Sequence, residues 1–117
     1  MPSEVDRLEN QELKSALEKM LTIASTAAIS DLTTLPPAFT QVQELFTTFM
    51  ASFQDMELNT TVAPRWQSLQ TEMHKQMRLL GIDVMFLQAS RPGNMAQQRQ
   101  KQIVDRLKIL IDYCAAF

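Results

Sequence analysis

FTQVQELFTTFMASFQDM, residues 39–56, sets Phe39, Val42, Phe46, Phe49, Phe53 and Met56 at alternating spacings of three and four. That spacing lines one side of an α-helix with apolar side chains, a heptad-like seam of roughly two and a half repeats. Leu45 and Met50 widen the seam. It reads first as the core of a helical bundle, with Phe46, Phe49 and Phe53 as structural residues, and a docking face or cofactor pocket as the alternatives.

Working outward, Asp31 to Pro37 reads as a connector: Leu35 precedes a proline and is disfavoured in helical geometry, while Pro36 suits a first helical turn. Upstream, Ser3 is a candidate cap, followed by an apolar stripe of Leu13, Leu17, Met20, Leu21, Ala24 and Ala28, so a first helix is expected to end near Ser30. Downstream, Leu58 to Thr61 forms the next break. A long third helix then carries Trp66, Leu69, Met73, Met77, Leu80, Val84 and Leu87 on one stripe. Leu79, Ile82, Met85 and Phe86 make its second half apolar almost all round, which demands either deep burial or a docked partner. Ser90 to Asn94 stops that helix, and Asn94 with Gln97 three residues on resembles a capping box for a fourth helix starting near Met95. There, Ile103, Val104, Leu107, Leu110, Ile111 and Cys114 share the inward face.

These segments predict an all-α fold over residues 1–117 as a single helical domain: an elongated antiparallel four-helix bundle with two long helices of about 40 Å, the first and third, and two shorter ones nearer 30 Å. Two paired hairpins, or a homodimer that completes the core, are the alternative arrangements. Composition agrees, with 45% hydrophobic and 21% charged residues and only two glycines in 117 residues, too few for the turns of a sandwich or barrel.

The acidic start (Glu4, Asp6, Glu9, Glu12) does not read as a signal peptide, and the longest apolar stretch, Leu79 to Ala89, is broken by Gly81, Asp83 and Gln88. No membrane insertion and a cytoplasmic location are expected. Catalysis is not expected either. The single His74 and single Cys114 fall on different helices, no metal-ligand spacing is present, and neither glycine belongs to a phosphate-binding loop, so no catalytic, metal or cofactor site is predicted. DNA binding is a weaker alternative: helix four carries Arg99, Lys101, Arg106 and Lys108, but Asp105 and Asp112, each four residues after a lysine, are placed to neutralise them.

Charge divides unevenly. Residues 1–58 hold nine acidic and three basic side chains, a balance of −6, and residues 59–117 hold four acidic and eight basic, a balance of +4. Such a dipole either orients an encounter with a charged partner or holds the two halves of one molecule together. Two positions carry sharper expectations. Asp83 sits at the edge of an apolar stripe and needs a cross-helix partner, Arg106 or another helix-four cation. Gly81 costs about 1 kcal/mol of helix propensity, which a close helix approach at that level explains better than a kink.

The run HKQMRLLGIDVMFLQASRPGNMAQQRQKQIVDRLKILIDYCAA, residues 74–116, resembles the C-terminal half of the cyanobacterial heterocyst frequency control protein PatD family. RLLGIDVMFLQASRP, QQRQKQ and DRLKILIDYC carry the likeness, which firmly covers about a third of the chain. The resemblance implies a developmental regulator that binds the tubulin-like division protein FtsZ, modulates its polymer assembly, and works at the division site through that partner. It supplies no residue-level interface. Complementarity to acidic FtsZ polymers suggests Lys75, Arg78, Arg91, Arg99, Lys101 and Arg106. The alternative function is a helical adaptor or assembly chaperone for another complex, using the seam of helix two or the end of helix three as its groove.

Overall fold

The computed structural model describes residues 4–26, 33–59, 64–91 and 93–116, with side chains for 10–26, 33–52, 67–91 and 93–116. Among these residues four helices follow one another: α1 (Glu4–Thr26), α2 (Leu35–Asn59), α3 (Pro64–Ala89) and α4 (Asn94–Ala116). The expected cap at Ser3, the end of the first helix near Ser30, and the side chains of Phe53, Met56 and Trp66 lie outside the described residues.

The helices form an elongated antiparallel bundle with extents of 50 × 22 × 18 Å. Two cross-helix hydrogen bonds set the α1–α4 register. Asn10 Nδ2 donates to the Cys114 carbonyl at 3.0 Å, and Gln100 Nε2 donates to the Ala24 carbonyl at 2.6 Å. Each pair of contact points lies fourteen residues apart on its own helix, in opposite chain directions. Likewise α2 meets α3 at Phe39 over Gly81 and, one heptad along, at Phe46 against His74. Helix α1 packs along both α2 and α4, and α3 along α4, whereas α2 and α3 are the most loosely packed of the neighbouring pairs. The pairing order around the bundle is therefore α1, α2, α3, α4.

Periodicity decides which face each helix buries. Leu13, Leu17, Met20 and Ala24 of α1, Val42, Phe46, Phe49 and Met50 of α2, Met73, Met77, Leu80, Val84 and Leu87 of α3, and Ile103, Leu107, Leu110 and Cys114 of α4 form one continuous core. Leu35, buried at the start of α2, joins them. Four of these residues are methionines, whose unbranched thioethers fill irregular gaps between rods that are not ideally spaced. On the outer face of α2, Thr40, Thr47 and Thr48 donate their hydroxyls to the carbonyls four residues back, the local bond that lets threonine tolerate a helix interior.

Two expectations are corrected. Helix α2 is not one of the shorter helices: its 25 residues nearly match the 26 of α3, because it runs on to Asn59, through the first part of the expected break. The cap of α4 also shifts by one residue. Gln97 N–H donates to the Gly93 carbonyl at 3.0 Å, so Gly93, with φ of 155°, stands at the cap and Asn94 is already helical.

Candidate functional site

Asp83 is the one buried charged residue among those described, 2% exposed on the flank of α3 that faces α4. Arg99 Nη1 donates to its Oδ1 at 2.8 Å, and Arg106 Nε donates to its Oδ2. Arg106 also reaches Gln76 Oε1 from Nη1 at 3.2 Å, and Arg99 Nη1 reaches Gln102 Oε1 at 3.2 Å. The expected partner Arg106 is present, and Arg99 is a second. A carboxylate removed from water by α3 is held by two charge-assisted donors that stay in partial contact with solvent. The cluster fixes the α3–α4 register and leaves one positive charge in excess.

That excess borders an apolar surface. Ile82, Met85 and Phe86 on α3 are 40%, 68% and 53% exposed, and Met95 at the start of α4 is 78% exposed. The Arg99 guanidinium lies over the Phe86 ring at 5.0 Å from its centroid, a cation–π contact that holds both side chains at the surface. The apolar second half of α3 is thus only partly buried: Val84 and Leu87 face the core, and the opposite arc faces solvent. Aromatic, methionine and arginine side chains together on an exposed arc have the composition of a protein-binding surface.

The cations proposed from sequence separate into three groups. Arg78 and Arg91 are exposed with no ion-pair partner among the described residues, and Lys75, also exposed, makes only a 3.9 Å contact with Glu72 on its own helix. These three and Arg99 surround the α3 strip. Arg106 is held inward by Asp83 and Gln76. Lys101, two residues past Arg99, points to a different side of α4 and does not join the strip. No ion pair joins the acidic α1–α2 side to the basic α3–α4 side among the described residues, and neither Lys101–Asp105 nor Lys108–Asp112 closes, so the charge division faces solvent.

The second opening lies between α2 and α3, the loosest of the neighbouring pairs. A cleft of about 480 Å³ is floored by Phe46, Met50 and Met77 and walled by Gln43, Thr47, Ala51, His74 and Arg78. The His74 ring stands edge-on to Phe46, centroids 5.0 Å apart. Two helix turns further, Phe39 covers Gly81: a Cβ there would meet the ring's Cζ at 3.0 Å. The close approach expected at Gly81 is thus a ring laid on the helix rather than two backbones in contact. The patch at Ile82, Met85 and Phe86 was legible in the sequence as surplus apolar residues. The cleft had no signal there beyond the aromatic seam, since it exists because α2 and α3 pack loosely on each other.

Cys114 is buried at the far end of α4 beside Asn10, and burial pushes its thiol up to about 12 from an ordinary 9.0. His74 is exposed against α2, so the two groups do not meet. Among the described residues no group of three or more His, Cys, Asp and Glu side chains is placed to hold a metal ion, and no helix is long and apolar enough to cross a membrane. Compared with protein-family models, with curated proteins and with solved structures, the chain matches none.

Proposed function

We propose that this bundle is a non-enzymatic regulator that binds the division protein FtsZ, modulates its polymer assembly at the division site, and thereby influences heterocyst frequency. Support for protein binding comes from one observation above all: the exposed Ile82–Met85–Phe86 arc, rimmed by Arg99 and by Arg78 and Arg91, the last two without an acidic partner among the described residues. Support for FtsZ as the partner comes from the resemblance of residues 74–116 to the PatD family. An acidic polymer presents charge complementary to Lys75, Arg78, Arg91 and Arg99, which speeds encounter and makes it sensitive to salt.

The adaptor reading draws on a different observation, the cleft between α2 and α3, which has the size of a pocket for partner side chains. A duplex-DNA reading has less support, because Asp83 holds Arg99 and Arg106 while Lys101 faces elsewhere, leaving α4 without a continuous basic stripe. Co-sedimentation with FtsZ polymers at low and moderate salt tests the proposal. Wild-type protein pellets with polymer and does so less at the higher salt, and Phe86→Ala reduces the pelleted fraction severalfold. A chain that stays in the supernatant at both salts removes FtsZ as the partner.

A further inference from the structure

We infer that the α2–α3 side of the bundle is a groove for a fifth helix, an acidic amphipathic segment of a partner protein. The inference rests on the partner-binding reading but not on FtsZ as the partner. The cleft floor is apolar and adaptable, formed by Phe46, Met50 and Met77. Methionine-rich surfaces of this kind re-pack around inserted side chains. Arg78 forms the cleft rim, with Ile82 four residues and Met85 seven residues further along the same side of α3. Cleft, Arg78 and Met85 therefore form one strip, about 17 Å long from His74 to Met85, matching three turns of a docked helix.

Charge selects the occupant. None of the eight residues lining the cleft is acidic, and Arg78 has no carboxylate partner among the described residues. Lys75 stands one turn before it on the same exposed side. A helix lying here meets apolar contacts along its centre and cations along its edge, so its own pattern is apolar residues at spacings of three and four flanked by Asp or Glu. Among the described residues a second copy of this chain does not offer that pattern. The large exposed apolar side chains among the described residues all belong to the basic α3 and α4, while the stripes of the acidic α1 and α2 are buried in their own core.

The test uses the full chain and three fluorescein-labelled peptides: a Leu-striped helix with Glu flanks, the same helix with Lys flanks, and the Glu peptide broken by a central proline. Anisotropy titrations are expected to show the Glu helix binding at least tenfold more tightly than either control. Ala51→Trp, an exposed wall position, fills the cleft and reduces that affinity at least tenfold; Arg78→Glu does the same, and Lys108→Glu on α4 leaves it unchanged. In methyl spectra of the methionines, Met50, Met77 and Met85 shift on binding and Met95 does not. Absence of binding at millimolar peptide, equal affinity for the Lys helix, or unmoved Met50 and Met77 methyls overturns the groove. A dimer seen by light scattering and dissolved by Ala51→Trp also overturns it, replacing the partner helix with a second copy. Because no FtsZ is present, a chain that takes the Glu helix but ignores FtsZ polymers keeps the groove and loses only the named partner.

Discussion

Arg106 on α4 donates its Nε–H to the carboxylate of Asp83 on α3, and 97% of that carboxylate's side chain is withdrawn from solvent while the arginine keeps 20% of its own exposed. The two residues stand 23 positions apart in the chain and set the α3–α4 register between them. Truncating one member of a buried pair strands the other, at a typical cost of 3–5 kcal/mol, which water reaching the arginines reduces here. Asp83→Ala is expected to cost about 2–3 kcal/mol in urea unfolding. Arg106→Ala should cost more than Arg99→Ala, since Arg106 is less exposed and also holds Gln76. Equal effects of the two arginine truncations would show that the pair does not distinguish them.

Gly81 and Phe39 make a second testable pair. Alanine at 81 gains about 1 kcal/mol of helix propensity but presses on the Phe39 ring. Gly81→Ala alone is expected to leave stability within about 0.5 kcal/mol of wild type, whereas in a Phe39→Leu background, where the ring is gone, it should stabilise by about 1 kcal/mol. Denaturant midpoints of the four chains measure the coupling. The same shift in both backgrounds would exclude a steric origin.

Burial of Cys114 predicts both its reactivity and its pH linkage. With the thiol raised to about 12, the folded chain should react with Ellman's reagent at pH 8 only through opening of the α1–α4 end. Asn10→Ala, which removes the hydrogen bond to the Cys114 carbonyl, should speed that labelling severalfold. Above pH 9 the unfolded chain loses the thiol proton while the folded chain retains it, so this contribution to stability is complete below pH 9 and declines toward pH 12. Relative to a Cys114→Ala chain, the loss at pH 10 is expected to be on the order of 1 kcal/mol.

Salt and charge reversal should separate the exposed cations. Arg91→Glu and Arg78→Glu are expected to weaken partner binding about tenfold at ~50 mM salt and much less at ~300 mM, because exposed charges are screened beyond a Debye length. Lys101→Glu, on another side of α4, should leave binding within about twofold of wild type. Reversal at Arg99 or Arg106 is a poorer probe, since it opposes Asp83 and perturbs the fold together with the surface. Binding measured by sedimentation at the two salts decides; if Lys101→Glu weakened it as much as Arg91→Glu, the α3 arc would not be the interface.

The sequence by itself determined the four helices and the face that each one buries. Those features depend on short-range patterns: spacings of three and four in Phe39–Phe49, Leu13–Ala24 and Ile103–Cys114, and punctuation by Pro36 and Gly93. It also marked Asp83 as needing a cation, because a carboxylate beside an apolar stripe is costly without one. Only the tertiary structure decided which cations remain available, since that depends on the register of α3 against α4, a sum of many packing contacts. Arg99 and Arg106 reach Asp83, while Arg78 and Arg91 do not. The fate of Ile82, Met85 and Phe86 was settled in the same way. A helix that is apolar almost all round can bury only the arc its neighbours cover, and the loose packing of α2 on α3 leaves the rest of that arc, with the Phe46–Met50–Met77 cleft, exposed.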